Sequence, residues 1–126
     1  MNKVAVYGSL RKGLHNHGCL RNSKQVATGT VEGFGLYSLG SYPALSQHGE
    51  HNNTVVEVYE VSEATMHGLD ALEGYPSYYN RMVCPITTED GTTVDAWVYY
   101  IQEEITGPLV ASGDWKSYYT NRSSYA

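Results

Sequence analysis

Lys3-Val4-Ala5-Val6-Tyr7-Gly8-Ser9-Leu10-Arg11-Lys12-Gly13 carries the chain from an apolar run straight into a turn built on glycine and serine. An apolar run ended by such a turn reads as a buried strand, about residues 3–7, that delivers a loop. Gly8 lets the loop backbone approach a ligand closely or adopt a positive φ. Successive N–H groups in a loop of this kind can hold an anion or an oxyanion. The GxxxxGK[ST] spacing of a phosphate loop is absent, so the turn does not read as a nucleotide site.

Outward from this strand, Leu69-Asp70-Ala71-Leu72-Glu73-Gly74-Tyr75-Pro76 reads as the end of a helix. Met66, Leu69 and Leu72 recur three apart and mark its buried stripe, and Glu73, four on from Leu69, shares that face. Gly74 and Pro76 stop the helix, and Ser62 is its expected N-cap. A carboxylate here is disfavoured by the negative end of the helix and by burial. Both raise its pKa toward the range of a general acid/base at neutral pH. The other reading is a helix-end glutamate that faces water, and position alone leaves both open.

The remaining segments are rich in strands. Gln25–Val31 and Phe34–Leu39 read as two strands separated by Glu32-Gly33. Thr54–Val61 sets Val56, Val58 and Val61 against Glu57 and Glu60, the pattern of a half-buried strand. Arg81–Thr88 and Thr93–Ile101 flank Glu89-Asp90-Gly91, a hairpin signal. Leu14–Asn22 reads as loop or short helix, and the tail from Gly113 to Ala126 as a short helix beginning near Asp114. No internal repeat, low-complexity tract or linker divides the chain, and residues 1–126 read as a single domain.

Composition narrows the function classes. The chain has 126 residues, 41% hydrophobic and 17% charged, which is that of a folded domain rather than a disordered one. Net charge is −5 and the eight Lys and Arg are scattered, so neither nucleic acid nor a membrane is an expected partner. No apolar run reaches membrane length and no signal-peptide core opens the chain, which predicts a cytoplasmic protein. Cys19 and Cys84 lack metal-ligand spacing and read as free thiols, Cys84 within an apolar strand. Twelve tyrosines against one phenylalanine suit a cavity that is both shaped and wetted, although most fit ordinary strand composition.

Three chemistries need weighing. His15-x-His17 and His48-x-x-His51 each offer two ligands, but no Glu or Cys completes a recognised motif, and solvated loop histidines are the expectation; no metal is expected. Ser9 lacks the GxSxG elbow, and no histidine or acid can be assigned to it. Asp70 and Glu73, three apart on one helix, could form a paired-carboxylate hydrolase site.

Taken in order, Tyr7-Gly8-Ser9-Leu10-Arg11, Asn16-His17, Tyr42-Pro43-Ala44-Leu45, Leu69-Asp70-x-Leu72-Glu73-Gly74-Tyr75, Tyr79-x-Arg81 and Gly113-Asp114-Trp115 resemble the γ-glutamylcyclotransferase family. The opening is most similar to its small γ-glutamylamine cyclotransferase branch. The resemblance implies an α+β fold around a small, mixed, partly closed β-barrel with few helices, and a cavity where the loop meets the glutamate. It supports Glu73 alone as catalytic acid/base, with Asp70 left to bond within the fold and His17 to order the loop. It implies a small γ-glutamyl substrate bound by Tyr7, Gly8, Ser9 and Leu10, with Tyr79, Tyr99 and Trp115 as cavity walls or ordinary core aromatics. The reaction implied is attack of the substrate's own α-amine on its γ-carbonyl, giving 5-oxoproline and a free amine without cofactor or metal. Loops Gln47–Asn53 and Glu103–Ser112 are the expected variable parts of the cavity. Two alternatives remain: a non-catalytic binding module on the same fold, and a cyclotransferase for another γ-glutamyl acyl group.

Overall fold

A computed structural model describes residues 2–123. Strand β1 (Asn2–Val6) lies at the centre, antiparallel to β4 (Asn52–Val61) and parallel to β6 (Thr93–Tyr100). Its apolar run is buried on both faces, with Val4 and Val6 in one cluster and Ala5 in the other. That is why the run does not alternate with polar residues. Strand β2 (Lys24–Ser38) pairs with β4, then with the short β3 (Pro43–Ser46). Strand β5 (Asn80–Thr88) forms the expected hairpin with β6 and also pairs with β2 through Gly29–Val31. The ring β2–β4–β1–β6–β5 therefore closes into a five-stranded mixed barrel, with β3 outside the ring. The β2–β5 closure needs glycine: a side chain at Gly29 would run into the Thr87 carbonyl.

The two strands expected on either side of Glu32-Gly33 are one. Strand β2 continues through a register shift between Val31 and Phe34, and Gly33 takes φ +91° at the bend. The break in the sequence pattern is a bulge rather than a turn. The expected pattern of β4 also needs correction at Glu57, which is buried, not on a solvent face. Strand β3 is an element that strand patterning did not locate.

Helix α1 (Glu63–Glu73) is capped as expected. Ser62 Oγ accepts from the Thr65 N–H at 3.1 Å, and Gly74 takes the left-handed φ of +67° after Glu73. Met66 and Leu69 pack against Val4, Val6, Tyr79 and Tyr99. Leu72, expected in this stripe, is 45% exposed. At about 100° per residue Met66, Leu69 and Glu73 fall within one narrow sector, and Leu72 lies beyond its edge. The segment Leu14–Asn22 contains a 3-10 turn at His17–Leu20, with Cys19 exposed. Helix α2 (Trp115–Ser123) starts one residue after Asp114 as expected; the last residues of that tail lie outside the described residues. Among the described residues no helix is long and apolar enough to cross a membrane.

Candidate active site

The loop leaving β1 and the C-terminal end of α1 meet because the strand and the helix share one apolar cluster. Val4 and Val6 of β1 belong to the same buried cluster as Met66 and Leu69 of α1, and the ends of both elements line a cavity of about 380 Å³. Tyr7, Gly8, Ser9 and Leu10 line it from the loop, and Glu73 from the helix end. Tyr79 and Tyr99 complete the far wall. Trp115 does not reach it. Its ring is 1% exposed within the barrel cluster, 5.3 Å from the Tyr118 ring and 5.6 Å from that of Tyr119, so it supports α2 as a core residue. No residue of loops 47–53 or 103–112 lines the cavity either. Asn52 instead ties the Leu36 N–H and the Val110 carbonyl together.

Glu73 is partly buried, and its carboxylate has no hydrogen-bond partner among the described residues. Burial pushes its pKa up to about 7. Asp70, one turn earlier, is the opposite case. Its two oxygens accept from Arg81 Nε and Nη2 at 2.9 and 3.2 Å, and Oδ1 also accepts the Tyr99 hydroxyl at 2.7 Å. Arg81 lies 4.5 Å over the Tyr75 ring and 4.2 Å over the Trp97 ring. Asp70 is thus a brace for the cavity wall, and the two carboxylates do not form a matched pair.

The tyrosines are fixed by their hydroxyls. Tyr7 donates to the Tyr99 carbonyl at 2.7 Å, and Tyr79 to the Pro43 carbonyl at 2.7 Å. Burial raises the pKa of Tyr7, Tyr79 and Tyr99, with the charge of Glu73 adding to each. They remain neutral at physiological pH, and their hydroxyls are engaged with the Tyr99 carbonyl, the Pro43 carbonyl and Asp70.

The loop itself is anchored from below. Arg11, buried, donates from Nε to Glu57 Oε2 at 3.1 Å and from Nη1 to Asp114 Oδ1 at 2.8 Å. Glu57 Oε1 accepts the Lys12 N–H at 2.8 Å and the Tyr59 hydroxyl at 2.9 Å. Asn16 Nδ2 donates to Ser9 Oγ at 2.8 Å, and His17 Nδ1 lies 2.9 Å from the Leu10 carbonyl, so both residues hold the loop's shape. Gly8 packs directly against Pro43: a Cβ there would stand 2.9 Å from Pro43 Cγ. The N–H groups of Gly8, Ser9 and Leu10 donate to no acceptor among the described residues. Among the described residues no three His, Cys, Asp or Glu side chains gather where they could hold a metal ion. His51 Nε2 instead lies 2.7 Å from the Gln47 carbonyl.

Sequence reasoning did not find His15, Tyr42, Tyr78 and Tyr119 as lining residues, nor the Arg11–Glu57–Asp114 network. Tyr42 and Tyr78 come from separate loops, joined by a hydroxyl contact of 2.8 Å. The only local signal was the crowding of tyrosines in Tyr75-Pro76-Ser77-Tyr78-Tyr79.

A closed mixed barrel with a carboxylate at a helix end beside a glycine loop defines the architecture, and residues 4–117 match the γ-glutamyl cyclotransferase, AIG2-like family. The chain belongs to this family of enzymes. It is 42% identical over 120 residues to a γ-glutamylcyclotransferase-type protein of Methanocaldococcus jannaschii, an alignment covering 94% of this chain and 98% of that one. It is 36% identical over 115 residues to the γ-glutamylcyclotransferase family protein YtfP of Escherichia coli K12, covering 90% and 95%. The crystal structure of a mouse AIG2-like protein superposes with a TM-score of 0.76 at 27% identity, covering 86% of this chain and 85% of that one.

Proposed function

We propose that the chain is a γ-glutamylamine cyclotransferase: it converts a γ-glutamyl amide to 5-oxoproline and a free amine. The observation that carries the reading is Glu73. It is the one carboxylate among the lining residues, it lacks a partner among the described residues, and its pKa is raised to about 7. A base poised near the working pH serves both halves of a proton relay.

The substrate's α-ammonium gives a proton to the Glu73 carboxylate. The freed amine attacks the γ-carbonyl carbon, forming the ring C–N bond and placing negative charge on the carbonyl oxygen. Loop N–H groups of Gly8, Ser9 and Leu10 stabilise that charge or the substrate's α-carboxylate. As the old C–N bond breaks, Glu73 hands that proton to the departing nitrogen, then takes the second proton of the ring nitrogen and passes it to the free amine, which leaves as an ammonium while the lactam N–H is left neutral. Nucleophile and electrophile belong to one molecule, so orientation is the main task, and the fixed rings of Tyr7, Tyr79 and Tyr99 suit it. The scheme calls for no cofactor.

The test is a pair of substrates. A γ-glutamyl amide with a free α-amine is expected to give 5-oxoproline, and its N-acetyl counterpart to give nothing. Release of amine from the blocked compound, with N-acetylglutamate as partner product, would replace cyclisation by hydrolysis. Binding of γ-glutamyl amides without turnover of any would favour a binding module.

A further inference from the structure

Six large apolar side chains are left exposed among the described residues, and three of them, Tyr42, Leu72 and Tyr78, line the cavity. A fourth, Tyr75, lies in the same turn after α1. Their exposures of 39, 45 and 49% are high for residues that frame a pocket. Exposed apolar side chains gathered at one concave site, rather than scattered singly, mark something that binds there. The Tyr42 and Tyr78 hydroxyls meet at 2.8 Å, and the Tyr78 ring stands edge-on to the buried Tyr79 ring at 5.1 Å. Tyr42 and Tyr78 are therefore a held pair, continuous with the inner wall, and Leu72 lines the cavity beside them.

The charge around this rim is as informative. Among the described residues the lining contains no lysine and no arginine. Arg81, the cation nearest the rim in sequence, is taken by Asp70 and stacked on Tyr75 and Trp97. Arg11 is taken by Glu57 and Asp114. His15 lines the cavity from the β1 loop, the side proposed to hold the substrate's own α-carboxylate. A second carboxylate, carried on the leaving amine, would lie against apolar faces at the rim with no cation among the described lining residues to pair with.

Resting on the cyclotransferase reading above, we infer that the leaving group is an apolar amine without a carboxylate, such as an arylalkyl or branched alkyl amine. Leu72, Tyr42 and Tyr78 are the residues that select it. The γ-glutamyl half occupies the Glu73 and Gly8–Leu10 end, and the amine substituent lies against the rim. The rim discriminates against γ-glutamyl amino acids through its apolar faces, which no cation among the described lining residues offsets.

Three compounds test this with the purified full chain: γ-glutamyl-phenethylamide, γ-glutamylphenylalanine and γ-glutamyl-ethylamide. The first two carry the same ring and differ by a carboxylate; the third lacks the ring. The expected result is a kcat/KM for the phenethylamide at least about tenfold above each of the others, the scale of discrimination by an apolar pocket. Tyr78→Ser is expected to cut the phenethylamide-to-ethylamide ratio severalfold, whereas Tyr78→Phe, which keeps the ring, retains it. Turnover with γ-glutamylphenylalanine equal or preferred overturns the inference and leaves the cyclotransferase reading standing, as does an equal rate on the two amides. Inertness toward all three and toward γ-glutamyl-ε-lysine overturns both.

Discussion

Asp70 and Glu73 stand one turn apart on α1 with opposite surroundings: Asp70 accepts three hydrogen bonds, from Arg81 and Tyr99, and the Glu73 carboxylate accepts none among the described residues. One carboxylate is spent on structure and the other is left at the cavity with a pKa near 7. A desolvated carboxylate without partners is free to exchange a proton near neutrality.

Glu73→Gln separates chemistry from folding. The amide has almost the same shape and cannot take the proton, so kcat is expected to fall by about a thousandfold with the circular dichroism spectrum unchanged. The same substitution should stabilise the protein at alkaline pH. The folded carboxyl titrates near 7 against 4.5 as its ordinary value. Its stabilising, protonated state is fully present below about 4.5 and lost as pH rises through 7. Relative to wild type, the glutamine variant should gain about 1–2 kcal/mol at pH 8 and little at pH 4.5, read by urea unfolding at both.

Activity should carry the same titration. With Glu73 as the base, kcat/KM is expected to rise about tenfold per pH unit below 7 and to level above it, until the substrate ammonium itself titrates. A profile flat from pH 5.5 to 8.5 would remove Glu73 from the proton relay.

Asp70→Ala leaves the Arg81 guanidinium and the Tyr99 hydroxyl without their acceptor. The expected cost is about 2–3 kcal/mol of stability, with Asp70→Asn losing less because one oxygen remains to accept. Chemical denaturation of the three proteins measures the order. An alanine variant as stable as wild type would show that the brace is idle.

Arg11→Met removes the cation from buried Glu57 and should cost about 3–5 kcal/mol. Neutralising the orphaned partner ought to recover part of this. The double variant Arg11→Met/Glu57→Gln is therefore expected to melt above the single one, and scanning calorimetry of the two decides it.

Gly8→Ala should harm function more than folding. The new Cβ would meet Pro43 Cγ at 2.9 Å, and the proline ring cannot swing aside. The loop must shift by a few tenths of an ångström, and the expected loss is at least about tenfold in kcat/KM with only a small change in Tm. Full activity in the alanine variant would mean that the position of the loop N–H groups is unimportant.

Local order carried much of this protein in its sequence. The apolar run before Gly8, the Ser62 cap, the Gly74 stop and the Asp90-Gly91 hairpin each depend on neighbours within a few residues, and each appears where expected. Glu73 was visible because a helix has a fixed period, so its face follows from Met66 and Leu69 alone. The same period was misapplied to Leu72, which sits at the stripe's edge, where only the shape of the facing surface decides burial. The bulge at Val31–Phe34 looked like a turn because glycine at positive φ serves both, and the pairing partner chooses between them.

What tertiary structure alone decided lies in contacts between distant segments. Glu57 reads as the polar half of an alternating strand; it is buried because Arg11, 46 residues away, arrives with a matching charge. Trp115 could have faced the cavity or the core, and the docking of α2 put it in the core. Tyr42 and Tyr78 meet across 36 residues, and no local pattern encodes that distance. Periodicity and capping are read within one element. Barrel closure, buried ion pairs and the cavity rim depend on which elements become neighbours, a choice made by the summed burial of the whole chain.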